Sequence, residues 1–166
     1  MKLRNLELKD APLMIEWMHD KKVVENLKTK FASKKISDCE TFIVNSQRDR
    51  NNIHLAITND ADEYMGTVSL KNIDKKIGSA EFAITIRSKA MGKGFSNYAM
   101  KEIIRIGFEE LKLKKIYWFV NVANKRAIHF YDKNGYKKVT FSSLNISINL
   151  KDVEKYIWYQ IENANF

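Results

Sequence analysis

Of the six glycines in the chain, Gly92 and Gly94 stand together at a corner. An alternating apolar segment ends there at Ile86, and a helical pattern begins at Phe95. A strand that turns through glycines into a helix presents N–H groups with no intrahelical acceptor, and the helix dipole adds partial positive charge. Such a corner is an anion site, and a phosphate-bearing cofactor is the first ligand to expect. Spacing separates the known glycine-loop chemistries. A Walker A loop needs a glycine five residues before its Gly-Lys pair and a Ser or Thr after it. Here Arg87 occupies the first place and Gly94 the second. A dinucleotide fingerprint needs a third glycine where this chain has Asn97. Neither fits.

Other groups able to do chemistry are few. His19, His54 and His129 share no metal-ligand spacing, and no metal site is expected. Cys39 is the single cysteine, so no intrachain disulfide can form, which suits a reducing cytoplasmic compartment. The net charge of +9 speaks to partners: nucleic acid, anionic lipid or an anionic small molecule, with polycations disfavoured. The lysines come as scattered pairs and form no single tract, so nucleic acid is not expected. No stretch reaches the roughly 18 apolar residues of a membrane span.

The surrounding elements must hold this corner in place. The chain has 166 residues, 45% hydrophobic and 30% charged, without repeats or a linker, so one domain over 1–166 is expected. Leu3 to Leu8 alternates as a strand does, and Asp10 with Pro12 opens a helix. A short helical stretch follows at Val23 to Leu27, and Ser37 with Glu40 predicts a capping box for the next helix. Ile53–Thr58, Tyr64–Leu70 and Ala80–Ile86 read as strands joined by turns. Phe95 to Leu111 is an amphipathic helix, and Ile116–Val122 is apolar enough for a strand buried on both faces. Asn124–Lys133 reads as a helix ended by Gly135, and Tyr136–Phe141 and Val153–Ile161 as closing strands. The unit from Ala80 to Val122 is a right-handed crossover with its two strands parallel and adjacent. Ligands of such units sit beyond the carboxyl ends of the strands. The fold class is mixed α/β: a central mixed, twisted sheet of about six to seven strands flanked by helices.

The segment Met91-Gly92-Lys93-Gly94-Phe95-Ser96 resembles the acetyl-CoA loop of the GNAT acyltransferase superfamily, Arg/Gln-x-x-Gly-x-Gly/Ala. It departs from that pattern at Met91, where the family has Arg or Gln, and at Ser96, where it has a small Gly or Ala. Arg87, Lys89 or Lys93 is placed to supply the charge lost at Met91. A second match lies in Asn124, Ala127, Tyr131, Gly135 and Tyr136, spaced as in the family's later helix. The start at Leu6 to Asp10 and the strand Ala80–Phe82 look most like the RimJ/RimL-type branch.

The resemblance implies an acetyl-CoA-dependent N-acetyltransferase that moves an acetyl group to a primary amine by direct attack. It implies that residues 91–96 (Met91, Gly92, Lys93, Gly94, Phe95, Ser96) hold the pyrophosphate, and that backbone groups of Ile84 and Ile86 hold the pantetheine arm. Asn124 matches a residue that contacts that arm, or is a helix cap, or both. Tyr131 matches the family's general acid: a phenol near pKa ~10 stays protonated and can donate to the departing sulfur. Glu81 is either a base, acting directly or through water, or a structural carboxylate paired to a lysine. Trp17 is expected either in the acceptor pocket or in the core. The acceptor is open between an amino-sugar or sugar nucleotide, a protein α-amino group and another small amine, with the charge favouring an anionic one. A monomer or homodimer is expected. The alternative is a non-catalytic CoA-binding or RNA- or ribosome-associated module of the same fold.

Overall fold

The fold follows from strands that alternate between two covered faces, seen in a computed structural model that describes residues 1–146 and 152–164. The strands β1 (Lys2–Asn5), β2 (Ile53–Thr58), β3 (Tyr64–Asp74), β4 (Ser79–Ile86), β5 (Lys115–Asn121), β6 (Lys137–Val139) and β7 (Tyr156–Glu162) form one sheet. Their spatial order is β1-β2-β3-β4-β5-β7-β6. Only β4 and β5 pair in parallel; the other neighbours are antiparallel. The helices are α1 (Ala11–Met18), α2 (Lys21–Val24), α3 (Ile36–Ser46), α4 (Phe95–Arg105) and α5 (Lys125–Lys133). Among the described residues no helix is long and apolar enough to cross a membrane.

Because β-strand side chains alternate, each strand feeds two cores. Ile57, Met65, Val68, Phe82, Ile86, Ile116 and Trp118 meet Phe95, Ala99, Met100 and Ile103 of α4 on one face. Ala56 and Tyr64 meet Met14, Trp17 and Met18 of α1 and Cys39 and Ile43 of α3 on the other. Tyr117 and Trp158 are covered on that second face by Leu144. Each large side chain fully buried this way contributes about 1.5–3 kcal/mol.

Several sequence-based boundaries move for local reasons. The first strand stops at Asn5 because Leu6 turns into the core and a tight turn follows, Asp10 N–H donating to Glu7 O at 2.8 Å. Asp10 precedes α1 without capping it. Its carboxylate turns back to accept two N–H bonds from the Arg4 guanidinium, each 2.8 Å, and one from Glu7 N–H. The box predicted at Ser37 and Glu40 lies two residues earlier, with Asp38 accepting Lys35 N–H at 2.7 Å. Beyond Arg105 the helix widens into a π-turn over Ile106–Glu110. The closing strands are shorter than expected, at Lys137–Val139 and Tyr156–Glu162, and Val153–Lys155 is a 3-10 turn.

The two parallel strands are neighbours only at their beginnings. Ser79, Ala80 and Glu81 pair with Lys115, Ile116 and Tyr117, and there the ladder ends. From Phe82 onward β4 follows β3 alone, through Gly66↔Ile86, while β5 follows β7 to Asn121↔Tyr156. Gly66 permits the close approach to β3, since a Cβ there would collide with the Thr85 carbonyl. The result is a fork that opens toward the carboxyl ends of both strands.

Candidate active site

Among the described residues the fork leaves one edge of β4 without a ladder from Phe82 onward. Arg87 N–H donates to Met65 O on β3 at 2.9 Å, so the trans peptide before it turns the Ile86 carbonyl the opposite way. Alternation along the strand then places the backbone groups of Ile86 and Ile84 on the fork side. At the apex the rings of Phe82 and Trp118 meet edge to face, 5.6 Å between centroids.

Past β4 the chain makes a 3-10 turn at Ser88–Ala90 and enters α4 through the glycine loop. Gly92 has φ +73° and Gly94 φ +85°, backbone states that non-glycine residues adopt with difficulty. Gly94 is the N-cap of α4, and Tyr98 N–H is the first of the helix to find an acceptor, at Gly94 O. Among the described residues the N–H groups of Gly92, Gly94, Phe95, Ser96 and Asn97 have no hydrogen-bond acceptor. A Cβ built on Gly92 would meet nothing within 4 Å, so the space before the loop is open. Unpaired donors, open space and a helix start together fit an oxyanion of phosphate type.

The side chains around the loop are distributed differently from expectation. Met91 gives its N–H to Ser88 O and packs its side chain against both cores; Lys93 gives its N–H to Ala90 O, and its ammonium has no partner among the described residues. Phe95 buries its ring in the core and leaves its N–H at the loop. Arg87, considered as a replacement charge, is engaged elsewhere. Buried at 4% exposure, its guanidinium donates to both oxygens of Glu16, to Glu63 and to Tyr64 O. Lys89 likewise pairs with Glu63. Sequence reasoning missed Arg126 on α5, whose guanidinium lies 2.7 Å from the Met91 sulfur.

Asn124 is the N-cap of α5, its side-chain oxygen accepting Ala127 N–H at 3.1 Å. Among the described residues its side-chain amide N–H2 has no partner. About two turns further along α5, Tyr131 packs its ring among Trp118, Phe130, Tyr136 and Tyr159 at centroid distances of 5.2–6.2 Å. Burial pushes its hydroxyl pKa well above the usual phenol value, so the group stays protonated. The hydroxyls of Tyr64 and Tyr159 are bonded, to Thr67 and Asp132. The Tyr131 hydroxyl has no partner among the described residues, yet the only fully buried side-chain N or O without one there is Trp118 Nε1. The phenol is therefore almost wholly buried, and its hydroxyl is left unpartnered among the described residues.

Glu81 lies at the fork's apex on the face opposite Phe82. It is buried, with Lys71 Nζ 2.6 Å from Oε1 and Asn72 Nδ2 3.1 Å from Oε2. Trp17 is a core residue at 5% exposure; its N–H donates to Tyr64 Oη and its ring meets Phe31 edge on. Buried and bonded this way, it offers no polar group to an acceptor.

Comparison with known proteins places this arrangement. A model of the acetyltransferase (GNAT) domain matches residues 1–137. The uncharacterized N-acetyltransferase p20 of Bacillus licheniformis is 28% identical over 142 residues, 82% of this chain and 78% of that protein. Spermidine N(1)-acetyltransferase of Escherichia coli (strain K12) is 39% identical over 74 residues, 45% of this chain and 40% of that enzyme. The solved structure of spermidine N-acetyltransferase from Vibrio cholerae in complex with CoA and spermine superposes with TM-score 0.77. That superposition covers 96% of this chain and 92% of that one at 23% identity, a likeness of fold.

Proposed function

We infer the reaction from one premise: the chain belongs to the acetyltransferase (GNAT) family and is an acetyl-CoA-dependent N-acetyltransferase. We propose that acetyl transfer takes place in the fork between β4 and β5. The unpaired N–H groups from Gly92 to Asn97 hold the pyrophosphate, and the free edge at Ile84 and Ile86 receives the pantetheine arm by main-chain hydrogen bonds. Asn124 offers its unpartnered amide N–H2 to the same arm. A neutral primary amine attacks the thioester carbonyl, the C–S bond breaks, and the thiolate takes the proton of Tyr131 as it leaves. The observation that carries this assignment is the Tyr131 hydroxyl, protonated and unpartnered at the end of an enclosed ring.

Glu81 is assigned the base, acting through water. Its carboxylate is held by Lys71 and Asn72, and its position at the apex puts it where the strands part.

The acceptor we propose is a small primary amine, with a linear polyamine first. A relative whose name states its acceptor is a spermidine N(1)-acetyltransferase, matched over 45% of this chain. A second reading, an anionic amine such as an amino-sugar nucleotide, is favoured by the net charge of +9. The RimJ/RimL-type branch, which would make a protein α-amino group the acceptor, has weaker support. Leu6 and Asp10 in its signature both have structural work, one in the core and one bound to Arg4. Thiol release from acetyl-CoA, followed with spermidine, an amino-sugar nucleotide and a peptide α-amine, separates these. Turnover with spermidine far above the other two is the expected result. Turnover only with the sugar nucleotide would replace the polyamine reading, and none with any amine despite tight CoA binding would favour a non-catalytic CoA module.

A further inference from the structure

The family's loop pattern asks for a side-chain cation or amide at the place held here by Met91, and on the loop itself the one cation is Lys93, exposed and with no partner that fixes its ammonium among the described residues. Arg87 and Lys89, the nearest cations before it, are bound to Glu16 and Glu63. Arg126 differs from both. It is exposed, it stands on the second residue of α5, and its Nη1 rests on the Met91 sulfur. Among the described residues it pairs with no carboxylate. A thioether accepts hydrogen bonds weakly, so it holds the guanidinium in place without neutralising it. The two residues lie 35 positions apart in sequence, and the fold alone puts them together.

We propose that Arg126 is the pyrophosphate-binding cation of this protein, reaching from α5 across Met91 to the loop and restoring in trans what the loop lost at position 91. The proposal rests on the CoA site assigned above. A guanidinium suits this task because its planar fork can donate two parallel N–H bonds to phosphate oxygens. The loop N–H groups then bind the anion from the helix side and Arg126 from the α5 side. Met91 acts as an apolar rest that joins the two cores while leaving the guanidinium charge uncompensated.

The test is CoA titrated by calorimetry into the wild type, Arg126→Ala, and the double variant Arg126→Ala/Met91→Arg. Arg126→Ala should weaken CoA about ten- to hundredfold, the range for losing charge-assisted hydrogen bonds. The double variant should recover most of that loss, because its arginine stands where the family has one. Wild type and Arg126→Ala should melt at the same temperature, since Arg126 gives up no carboxylate. Dephospho-CoA, which keeps the pyrophosphate and lacks the 3′-phosphate, should show the same loss in Arg126→Ala. S-acetylpantetheine, which has neither, should be turned over equally by wild type and variant. Unchanged CoA affinity in Arg126→Ala, or a loss that vanishes with dephospho-CoA, would overturn the proposal; the latter would move Arg126 to the 3′-phosphate. A wild type that fails to bind CoA would instead overturn the site on which the proposal stands.

Discussion

Replacing Tyr131 by Phe should lower kcat by about 10²–10⁴-fold, the range for losing a general acid, while leaving the melting temperature unchanged or slightly raised. The two halves of this result follow from one geometry. The ring is clamped by Trp118, Phe130, Tyr136 and Tyr159, and phenylalanine keeps all of those contacts. The hydroxyl bonds no described residue, so its removal leaves no donor or acceptor stranded. A tyrosine with a structural hydroxyl behaves in the opposite way: Tyr159→Phe, which breaks the 3.0 Å bond to Asp132, should lower stability by about 1 kcal/mol. The pH profile is a second readout. Because burial raises the Tyr131 pKa above its ordinary value near 10, the acid form persists to higher pH than in a free phenol. The rate should therefore not fall through loss of the acid at or below pH ~10. Unchanged kcat in Tyr131→Phe, with a lowered melting temperature, would make Tyr131 a packing residue.

Trp118→Ala should be the most destabilising single change near the site, by about 3–5 kcal/mol, or roughly 6–20 °C in melting temperature. Trp118 is 1% exposed and stacks on Tyr159 at 8° while meeting Phe82 and Tyr136 edge to face. It fills the angle where β4 and β5 part, so a cavity there removes contacts from both strands at once. Catalysis should fall as well, since the ring also bears on Tyr131, 5.3 Å away. Trp118→Phe separates packing from hydrogen bonding. The indole N–H has no partner among the described residues, so the smaller ring forfeits volume and no hydrogen bond, and should cost well under half as much as alanine. Circular dichroism melts of the three proteins check the order.

What could be read from the sequence was what local chemistry dictates. Gly92 and Gly94 were legible because a strand-to-helix corner needs positive φ, which both have. Asn124 was legible as a cap because an Asn oxygen placed three residues before Ala127 bonds its N–H whatever surrounds it. The strands were legible from alternation, and their two covered faces confirm the period. Capping was less secure. Ser37 and Glu40 have the right residue types, yet the helix starts two residues earlier, where Asp38 reaches Lys35 N–H. The features that no local pattern encodes are pairings across the fold. Arg87 looked like a free cation, and only the approach of α1 and the turn before β3 commits it to Glu16 and Glu63. Arg126 and Met91 meet only once α5 has docked beside the loop. The fork itself is a competition between ladders. β4 stays with β3 and β5 stays with β7, and the expected parallel pair is adjacent only from Ser79 to Glu81.

The most direct measurement is a crystal structure of the protein with CoA. The pyrophosphate should lie within hydrogen-bonding distance of the unpaired N–H groups of Gly92, Gly94, Phe95, Ser96 and Asn97, and the pantetheine should run along the free edge of β4 at Ile84 and Ile86. The thiol should end within reach of the Tyr131 hydroxyl. CoA bound outside the fork, or seated in it with its sulfur pointing away from Tyr131, would contradict the assignment.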